Sequence, residues 1–249
     1  MQTVKNIEHQ SSSLGDGGEA IILAGGLGTR LRTVVNDLPK CMAPVAGKPF
    51  LHYVIQHLLQ QGVDHFIFSL GYLSESIETF LHNNYPQLNY QLSIETDPLG
   101  TGGAIQLAVK KATEKNVLVL NGDTLFAVDV KQLLDAHISK QAVCTLCLKT
   151  MKNFDRYGVV ELNDNNTVVS FKEKQFYTEG YINGGVYALN VEQFLQEGLP
   201  GKFSFEKDYL EKKVMENKLS GIVQDRYFID IGIPEDYERA QKEFANVKM

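Results

Sequence analysis

Residues 20 to 31 read Ala-Ile-Ile-Leu-Ala-Gly-Gly-Leu-Gly-Thr-Arg-Leu, a short apolar run that passes directly into a glycine-rich segment. The run predicts a buried β-strand, and the segment after it predicts a tight loop that ends in the fixed cation Arg30. Glycines let backbone N–H groups approach a ligand closely, and a guanidinium offers planar donors shaped for phosphate oxygens. The pattern predicts a polyphosphate site, although a tight turn between two core elements would use the same glycines.

Two common phosphate-binding loops do not fit this segment. The P-loop requires Gly-Lys followed by Ser or Thr, which occurs nowhere in the chain. The dinucleotide fingerprint requires a third glycine, and Leu31 stands at that position. A nicotinamide-dependent oxidoreductase is therefore disfavoured.

Composition points to a globular protein and argues against a surface that binds nucleic acid or membranes. The 249 residues are 43% hydrophobic and 22% charged, with a net charge of −6. That length suits one large α/β domain, and the acidic balance argues against a nucleic-acid or membrane surface. Residues 1–18 lack the apolar core of a signal peptide, so we expect a flexible leader and a cytoplasmic protein. Cys144 and Cys147 lack further zinc ligands nearby, which favours two buried strand residues.

Strand and helix patterns alternate from residue 19 to residue 149 and become more mixed afterwards. The predicted elements include strands at 65–70, 143–149 and 181–189 and a helix at 130–139. Repeated βα units predict a Rossmann-like, mainly parallel mixed sheet with helices on both faces. We expect a single domain at residues 19–249, with a nucleotide-binding half at 19–149 and a second half at 150–249 folded onto the same sheet. The turn residues 163–166 predict a hairpin in the second half.

Charged side chains follow several predicted strands, where ligands bind in open α/β sheets. Asn121-Gly122-Asp123 offers a carboxylate for Mg²⁺, or else an ordinary turn. Asp230 is either a second Mg²⁺ carboxylate or the N-cap of the helix that begins at Pro234. Lys172-Glu173-Lys174 is either a solvated face or a source of cations. With Lys40, these are the parts that nucleotidyl transfer requires.

Six motifs in this order resemble the sugar-1-phosphate nucleotidyltransferase family, and the resemblance extends from residue 19 to about residue 245. The motifs are Leu23–Leu31 with Leu38-Pro39-Lys40 and Pro44–Pro49, Glu95–Ala104, Asn121–Asp123, Phe171–Lys174, Asn183–Gly185 and Asp230–Gly232.

The resemblance implies a GT-A-like nucleotidyltransferase fold, a Mg²⁺ cofactor and a set of site residues. The implied nucleotide-binding residues are Leu23, Gly25, Gly26, Gly28, Thr29, Arg30, Glu95, Gly100 and Thr101. The implied sugar-phosphate-binding residues are Gly122, Tyr157, Gly158, Glu173, Lys174, Asn183 and Gly184. The implied catalytic residues are Arg30, Lys40, Asp123, Lys174 and Asp230, with Asp123 and Asp230 as the metal ligands.

The implied reaction is an in-line attack by a sugar-phosphate oxygen on the α-phosphorus of a nucleoside triphosphate, releasing pyrophosphate. It needs no covalent nucleophile, in agreement with the lack of a Ser-His-Asp or Cys-His arrangement. Cys41 departs from the proline frequent in the family and is either a reactive thiol or a packed small residue. The chain ends soon after the predicted helix at Pro234, so a single activity is expected.

Within the family, the segments around Lys40 and Asp230 are most similar to guanylyltransferases that act on D-glycero-α-D-manno-heptose 1-phosphate. We therefore expect GTP and that heptose phosphate as substrates, and a role in lipopolysaccharide, capsule or S-layer glycan assembly. Mannose, glucose or N-acetylmuramic acid 1-phosphates remain alternatives because relatives that use them share the motifs. A non-catalytic nucleotide-sugar-binding subunit is the alternative of a different class. The resemblance also allows a homo-oligomer.

Overall fold

A seven-stranded mixed sheet forms the centre of the computed structural model, which describes residues 17–26, 38–71 and 73–245. In chain order the strands are β1 (Glu19–Leu23), β2 (Pro44–Val45), β3 (Lys48–Pro49), β4 (His65–Leu70), β5 (Asn89–Ile94), β6 (Asn116–Asn121), β7 (Thr124–Phe126), β8 (Cys144–Phe154), β9 (Val160–Leu162), β10 (Val168–Phe171), β11 (Tyr177–Asn190), β12 (Leu219–Val223) and β13 (Phe228–Asp230). The helices are α1 (Phe50–Gln60), α2 (Ser74–Asn84), α3 (Gly100–Ala108), α4 (Val130–Ser139), α5 (Val191–Gln196), α6 (Glu211–Met215) and α7 (Pro234–Phe244), and Phe205–Leu210 forms a π-helical turn.

The sheet has the order β12-β8-β11-β6-β1-β4-β5. β1 pairs in parallel with β4 and β6, and β4 pairs in parallel with β5. β11 runs antiparallel to both β6 and β8, whereas β12 runs parallel to β8. The prediction of a mainly parallel mixed sheet is confirmed.

Helices cover both faces of the sheet, as the apolar runs of its inner strands require. Side chains alternate between the faces along a strand, so Ile22 belongs to the core that contains α1 residues such as Leu51, while its neighbour Ile21 belongs to the core that contains Ile105 of α3. The core on the α3 side also contains Phe194 of α5. Within the described ranges, no helix combines the length and apolar character needed to cross a bilayer.

Strand lengths differ from the sequence prediction mainly in the second half. The strand predicted at 143–149 continues to Phe154, and the strand predicted at 181–189 begins at Tyr177, so β8 and β11 form a longer antiparallel pair. β8 therefore crosses the predicted division at residue 149. β12 was not predicted, because its Ser220-Gly221 interrupts the apolar pattern on which the prediction rests.

A small two-stranded sheet carries one end of the site. β7 pairs antiparallel with β13, which places Asp230 opposite Thr124. Ile231 also donates a backbone hydrogen bond to the carbonyl oxygen of Asp123, with an N–O distance of 3.1 Å. Two carboxylates that are distant in the sequence are thus brought to the same edge of the main sheet.

Candidate active site

A cavity of about 740 Å³ opens at the carboxyl ends of β1, β4, β5 and β6. This is the position that parallel strands of an open α/β sheet offer to a ligand. The residues that line it are Leu23, Ala24, Gly25, Gly26, Lys40, Cys41, Ser69, Gly71, Glu95, Thr96, Asp97, Pro98, Gly100, Thr101, Ala104, Asn121, Asp123 and Gly232.

The described start of the glycine-rich segment lies in this cavity. Ala24 donates its N–H to the carbonyl of Ser69, so the segment leaves β1 along β4. A β-carbon on Gly25 would lie 2.9 Å from the backbone nitrogen of Gly71, and no side chain fits at that distance. The predicted nucleotide residues Leu23, Gly25 and Gly26 therefore line the cavity. Gly28, Thr29 and Arg30 lie outside the described residues.

Glu95 lines the same cavity, directly after β5. Its carboxylate accepts a hydrogen bond from Leu99 N–H through Oε2 at 2.9 Å. The other oxygen, Oε1, lies 3.3 Å from where a β-carbon of Gly25 would be. Glu95 is thus fixed by its own loop and lies beside the described start of the glycine-rich segment.

The first turn of α3, which contains Gly100 and Thr101, is held by a segment from the second half of the chain. The carbonyl of Phe203 accepts the N–H of Gly102 at 3.0 Å, and the N–H of Phe203 donates to Leu99 at 3.0 Å. The Thr101 hydroxyl accepts a hydrogen bond from Phe205 N–H at 2.9 Å. The backbone at Gly100 is left-handed, with a φ of +73°, and closely abuts Phe203. The hydroxyl of Thr101 is therefore engaged by the backbone of Phe205 and helps to hold the first turn of α3 in place.

Asp123, Asp230 and Lys40 form the charged end of the site. Lys40 Nζ lies 2.5 Å from Asp123 Oδ2 and 3.6 Å from Asp230 Oδ1. Asp230 Oδ1 also accepts the N–H of Gly232 at 2.7 Å. Burial raises the pKa of Asp230, Lys40 lowers it, and Asp123 raises it further. The N-cap of α7 is Ile233 without a side-chain cap, so the interpretation of Asp230 as a cap is wrong.

Two residues beside Asp123 shape the backbone around it. Gly122 donates its N–H to the carbonyl of Leu23 at 2.9 Å, and a β-carbon there would lie 3.1 Å from the same oxygen. Cys41 is buried beneath it, and burial followed by the negative charge of Asp123 raises the pKa of the Cys41 thiol. A raised pKa keeps the thiol protonated, which favours the interpretation of Cys41 as a packed small residue.

The residues predicted for the sugar phosphate do not line this cavity. Tyr157 packs edge-on against Phe228 of β13 with ring centroids 6.0 Å apart, and burial raises its pKa to about 12. Gly184 fits against Phe126, since a β-carbon there would lie 2.3 Å from the ring. Asn183 donates to the hydroxyl of Tyr187 at 2.8 Å, and the register of the β8–β11 pair shifts between Asn183 and Val186.

Glu173 and Lys174 are exposed on the segment after β10. Lys172 pairs with Glu161 on β9, and within the described part of the chain Lys174 forms no ion pair. A β-carbon on Gly158 would lie 2.3 Å from the carbonyl oxygen of Lys172, so Gly158 lets the two segments meet. The structure thus joins Gly158 to the Lys172–Lys174 segment and leaves Lys174 available.

Three residues near the site were not selected from the sequence. Arg156 pairs with Asp236 of α7 and stacks on Tyr157, 5.5 Å from the ring centroid. Phe203 supports the first turn of α3, and Asn121 lines the cavity. Asn121 belonged to a quoted motif, whereas Phe203 gave no signal because its partners are about 100 residues away in the sequence.

The sequence profile described as "Nucleotidyl transferase" matches residues 19–247. The chain belongs to the nucleotidyl transferase family.

Two relatives and one solved structure match the chain over nearly their full length. The D-glycero-α-D-manno-heptose 1-phosphate guanylyltransferase of Aneurinibacillus thermoaerophilus is 55% identical over 228 residues, covering 92% of this chain and 99% of that protein. A protein of the same name from Campylobacter jejuni is 42% identical, covering 88% and 96%. The crystal structure of HddC from Yersinia pseudotuberculosis superposes with a TM-score of 0.83 at 38% identity, covering 91% and 99%. The prediction of a nucleotidyltransferase is confirmed, and so is the predicted fold class.

Proposed function

We propose that this nucleotidyltransferase transfers GMP from GTP to D-glycero-α-D-manno-heptose 1-phosphate, giving GDP-heptose and pyrophosphate. The observation that carries the proposal is the 55% identity to a protein of that activity over 99% of its length. The HddC structure complexed with GMP-PN, 36% identical with a TM-score of 0.81, supports a guanine nucleotide. The three unpaired cysteines suit a cytoplasmic enzyme.

The carboxylate of Glu95 provides a physical reason for guanine. A carboxylate only accepts hydrogen bonds, and the Watson–Crick edge of guanine presents two adjacent donors, N1–H and the N2 amino group. Uracil and thymine present one donor between two carbonyl oxygens, which a carboxylate repels. Since Oε2 of Glu95 is held by Leu99 N–H, the group is fixed before a base arrives.

The reaction brings two phosphate anions together, so repulsion between them is the barrier that the site must offset. Lys40 lies in the cavity and supplies one positive charge, and Arg30 is proposed to contribute a second. Lys174 is proposed to bind the incoming sugar phosphate, for which its exposed position and lack of a described ion-pair partner leave it available.

Asp123 and Asp230 are proposed to hold Mg²⁺. Carboxylate oxygens are suitable donors for this cation, which normally takes its remaining ligands from water and phosphates. Among the described residues, no group of three or more His, Cys, Asp or Glu side chains could hold a metal, so the pair would need such additional ligands. When bound, Mg²⁺ would supply positive charge that offsets the repulsion between the phosphates. The pairing of β7 with β13 keeps the two carboxylates together for this purpose.

The test is a matrix of four nucleoside triphosphates against the 1-phosphates of heptose, mannose, glucose and N-acetylmuramic acid, measured by pyrophosphate release. We expect GTP with the heptose phosphate to give the highest kcat/KM. Binding of GTP without pyrophosphate release from any combination would identify a binding subunit instead. Glu95→Gln retains an acceptor for Leu99 N–H but loses the charge, so its preference for GTP should fall by about 10- to 100-fold.

A further inference from the structure

The ammonium group of Lys40 lies between the two carboxylates that the proposed function assigns to the metal. Its Nζ is 2.5 Å from Asp123 Oδ2 and 3.6 Å from Asp230 Oδ1. A divalent cation bound by the same pair would compete for these oxygens and would repel the lysine, because like charges a few ångströms apart destabilise each other.

The fold fixes the backbone of Lys40 beside the two carboxylates. A 3₁₀ turn begins at Lys40 and is closed by the N–H of Ala43, while Cys41 and Met42 anchor the turn in the core. The opposite wall is Gly232, where a β-carbon would lie 2.8 Å from Lys40 Nζ. Any other residue at Gly232 would therefore displace the ammonium group or the turn.

Without a counter-cation, the aspartate pair would be costly. The side chain of Asp123 is 29% exposed and that of Asp230 is 26% exposed, so both carboxylates are only partly hydrated. Two partly buried carboxylates at one point repel each other and lose hydration. Lys40 relieves both costs in the nucleotide-free protein, and the phosphates of a nucleotide would offer it an alternative partner.

Building on the proposed function, we infer that Lys40 occupies the metal position of the nucleotide-free enzyme and leaves it for the nucleotide phosphates, so that nucleotide and divalent cation bind cooperatively. The cation then binds poorly until the nucleotide draws the lysine away. By thermodynamic linkage, the cation should increase nucleotide affinity by the same factor by which the nucleotide increases cation affinity.

The experiment measures Mn²⁺ binding to the full chain by electron paramagnetic resonance, without nucleotide. Lys40→Met should bind Mn²⁺ about tenfold or more tightly than the wild type, because one competing charge has been removed. Lys48→Met is the matched control, since Lys48 is exposed in the same segment, contacts His52 and does not line the cavity. Its Mn²⁺ affinity should equal that of the wild type. Lys40→Gln serves as a second neutral variant if Lys40→Met folds poorly.

The nucleotide arm repeats the titration with a GTP analogue that has a methylene group between the α- and β-phosphates. The factor by which the analogue increases Mn²⁺ affinity should be large in the wild type and at least about tenfold smaller in Lys40→Met. An equal factor in both proteins, or equal Mn²⁺ affinity of the nucleotide-free forms, would overturn the inference.

The two proposals can fail separately. If Asp123→Asn abolishes Mn²⁺ binding while Lys40→Met has no effect on it, the metal assignment stands and the role of Lys40 is refuted. If Mn²⁺ binds none of the proteins even with the analogue, the metal assignment itself fails and the inference with it. A crystal soaked in Mn²⁺ should show Lys40 Nζ displaced from the carboxylates, and an unmoved Nζ beside a bound ion would also refute the inference.

Discussion

Replacing Gly102 with alanine should weaken GTP binding by disrupting the support of the first turn of α3. A β-carbon at Gly102 would lie 2.1 Å from Cε2 and 2.3 Å from Cδ2 of Phe203, whereas nonbonded carbons normally approach to about 3.5 Å. The ring cannot move away easily, because Phe203 is buried and its backbone N–H and C=O are both bonded to this turn.

The magnitude follows from two opposing effects. Overpacking costs about 1–3 kcal/mol, and the change from glycine to alanine within a helix recovers at most about 1 kcal/mol. The net loss of folding stability should therefore lie between about 0 and 3 kcal/mol. Displacement of the Leu99–Thr101 turn should raise the KM for GTP about tenfold, which corresponds to about 1.4 kcal/mol, while the KM for the sugar phosphate changes little.

Steady-state kinetics with both substrates varied, together with urea unfolding, measures these effects. Gly201→Ala is the matched control: it lies two residues before Phe203, and a β-carbon there would meet nothing within 4 Å. We expect wild-type kinetics and stability from it. If Gly102→Ala gave the same GTP KM as Gly201→Ala, the support of the nucleotide turn by Phe203 would be refuted.

Three further predictions concern the charged and buried groups. Asp123→Ala should abolish pyrophosphate release while the circular dichroism spectrum stays native, and activity at saturating Mg²⁺ would remove Asp123 from its proposed role. Lys174→Ala should raise the KM for the sugar phosphate by the equivalent of about 1.5–3 kcal/mol with little change for GTP, and equal effects on both substrates would contradict the assignment. Burial lowers the pKa of His57 and of His137 from 6.5 to about 4. Between these pH values the unfolded chain therefore binds protons that the folded protein does not bind. The free energy of unfolding should be highest above pH 6.5 and should fall as the pH is lowered from 6.5 to 4. Each histidine accounts for at most about 3 kcal/mol of this loss, so His137→Gln should flatten the pH dependence of urea unfolding. An unchanged pH dependence in His137→Gln would refute this contribution.

The sheet could be predicted because its inner strands carry continuous apolar runs bounded by turn residues. The strand at His65–Leu70 and the helix at Val130–Ser139 have the predicted bounds. β12 escaped prediction because Ser220 and Gly221 interrupt its pattern, and parallel pairing with β8 decides its conformation. Non-local pairing of this kind overrides local preference and leaves no periodic signal.

The site, too, was predicted where it depends on local sequence and missed where it depends on distant pairing. Glycines and carboxylates that directly follow β1 and β6 could be assigned to one cavity, since the ends of parallel strands meet. The alternative roles of Asp230 could not be separated from the sequence, because only the pairing of β13 with β7 turns its carboxylate toward Lys40. The support of the first turn of α3 by Phe203 depends equally on distant chain segments.

The contact between Phe203 and the first turn of α3 also shows that the two halves of the chain depend on each other at the cavity. Residues 99–102 belong to the predicted nucleotide-binding half, yet their hydrogen bonds go to residues 203 and 205 of the second half. The two carboxylates are likewise contributed by different halves, Asp123 by the first and Asp230 by the second. Both ends of the cavity therefore require both halves of the chain. A perturbation of the second half should therefore affect nucleotide binding as well as acceptor binding. The geometry of α3 gives the reason: three of the bonds that orient its first turn come from residues that the nucleotide-binding half does not contain.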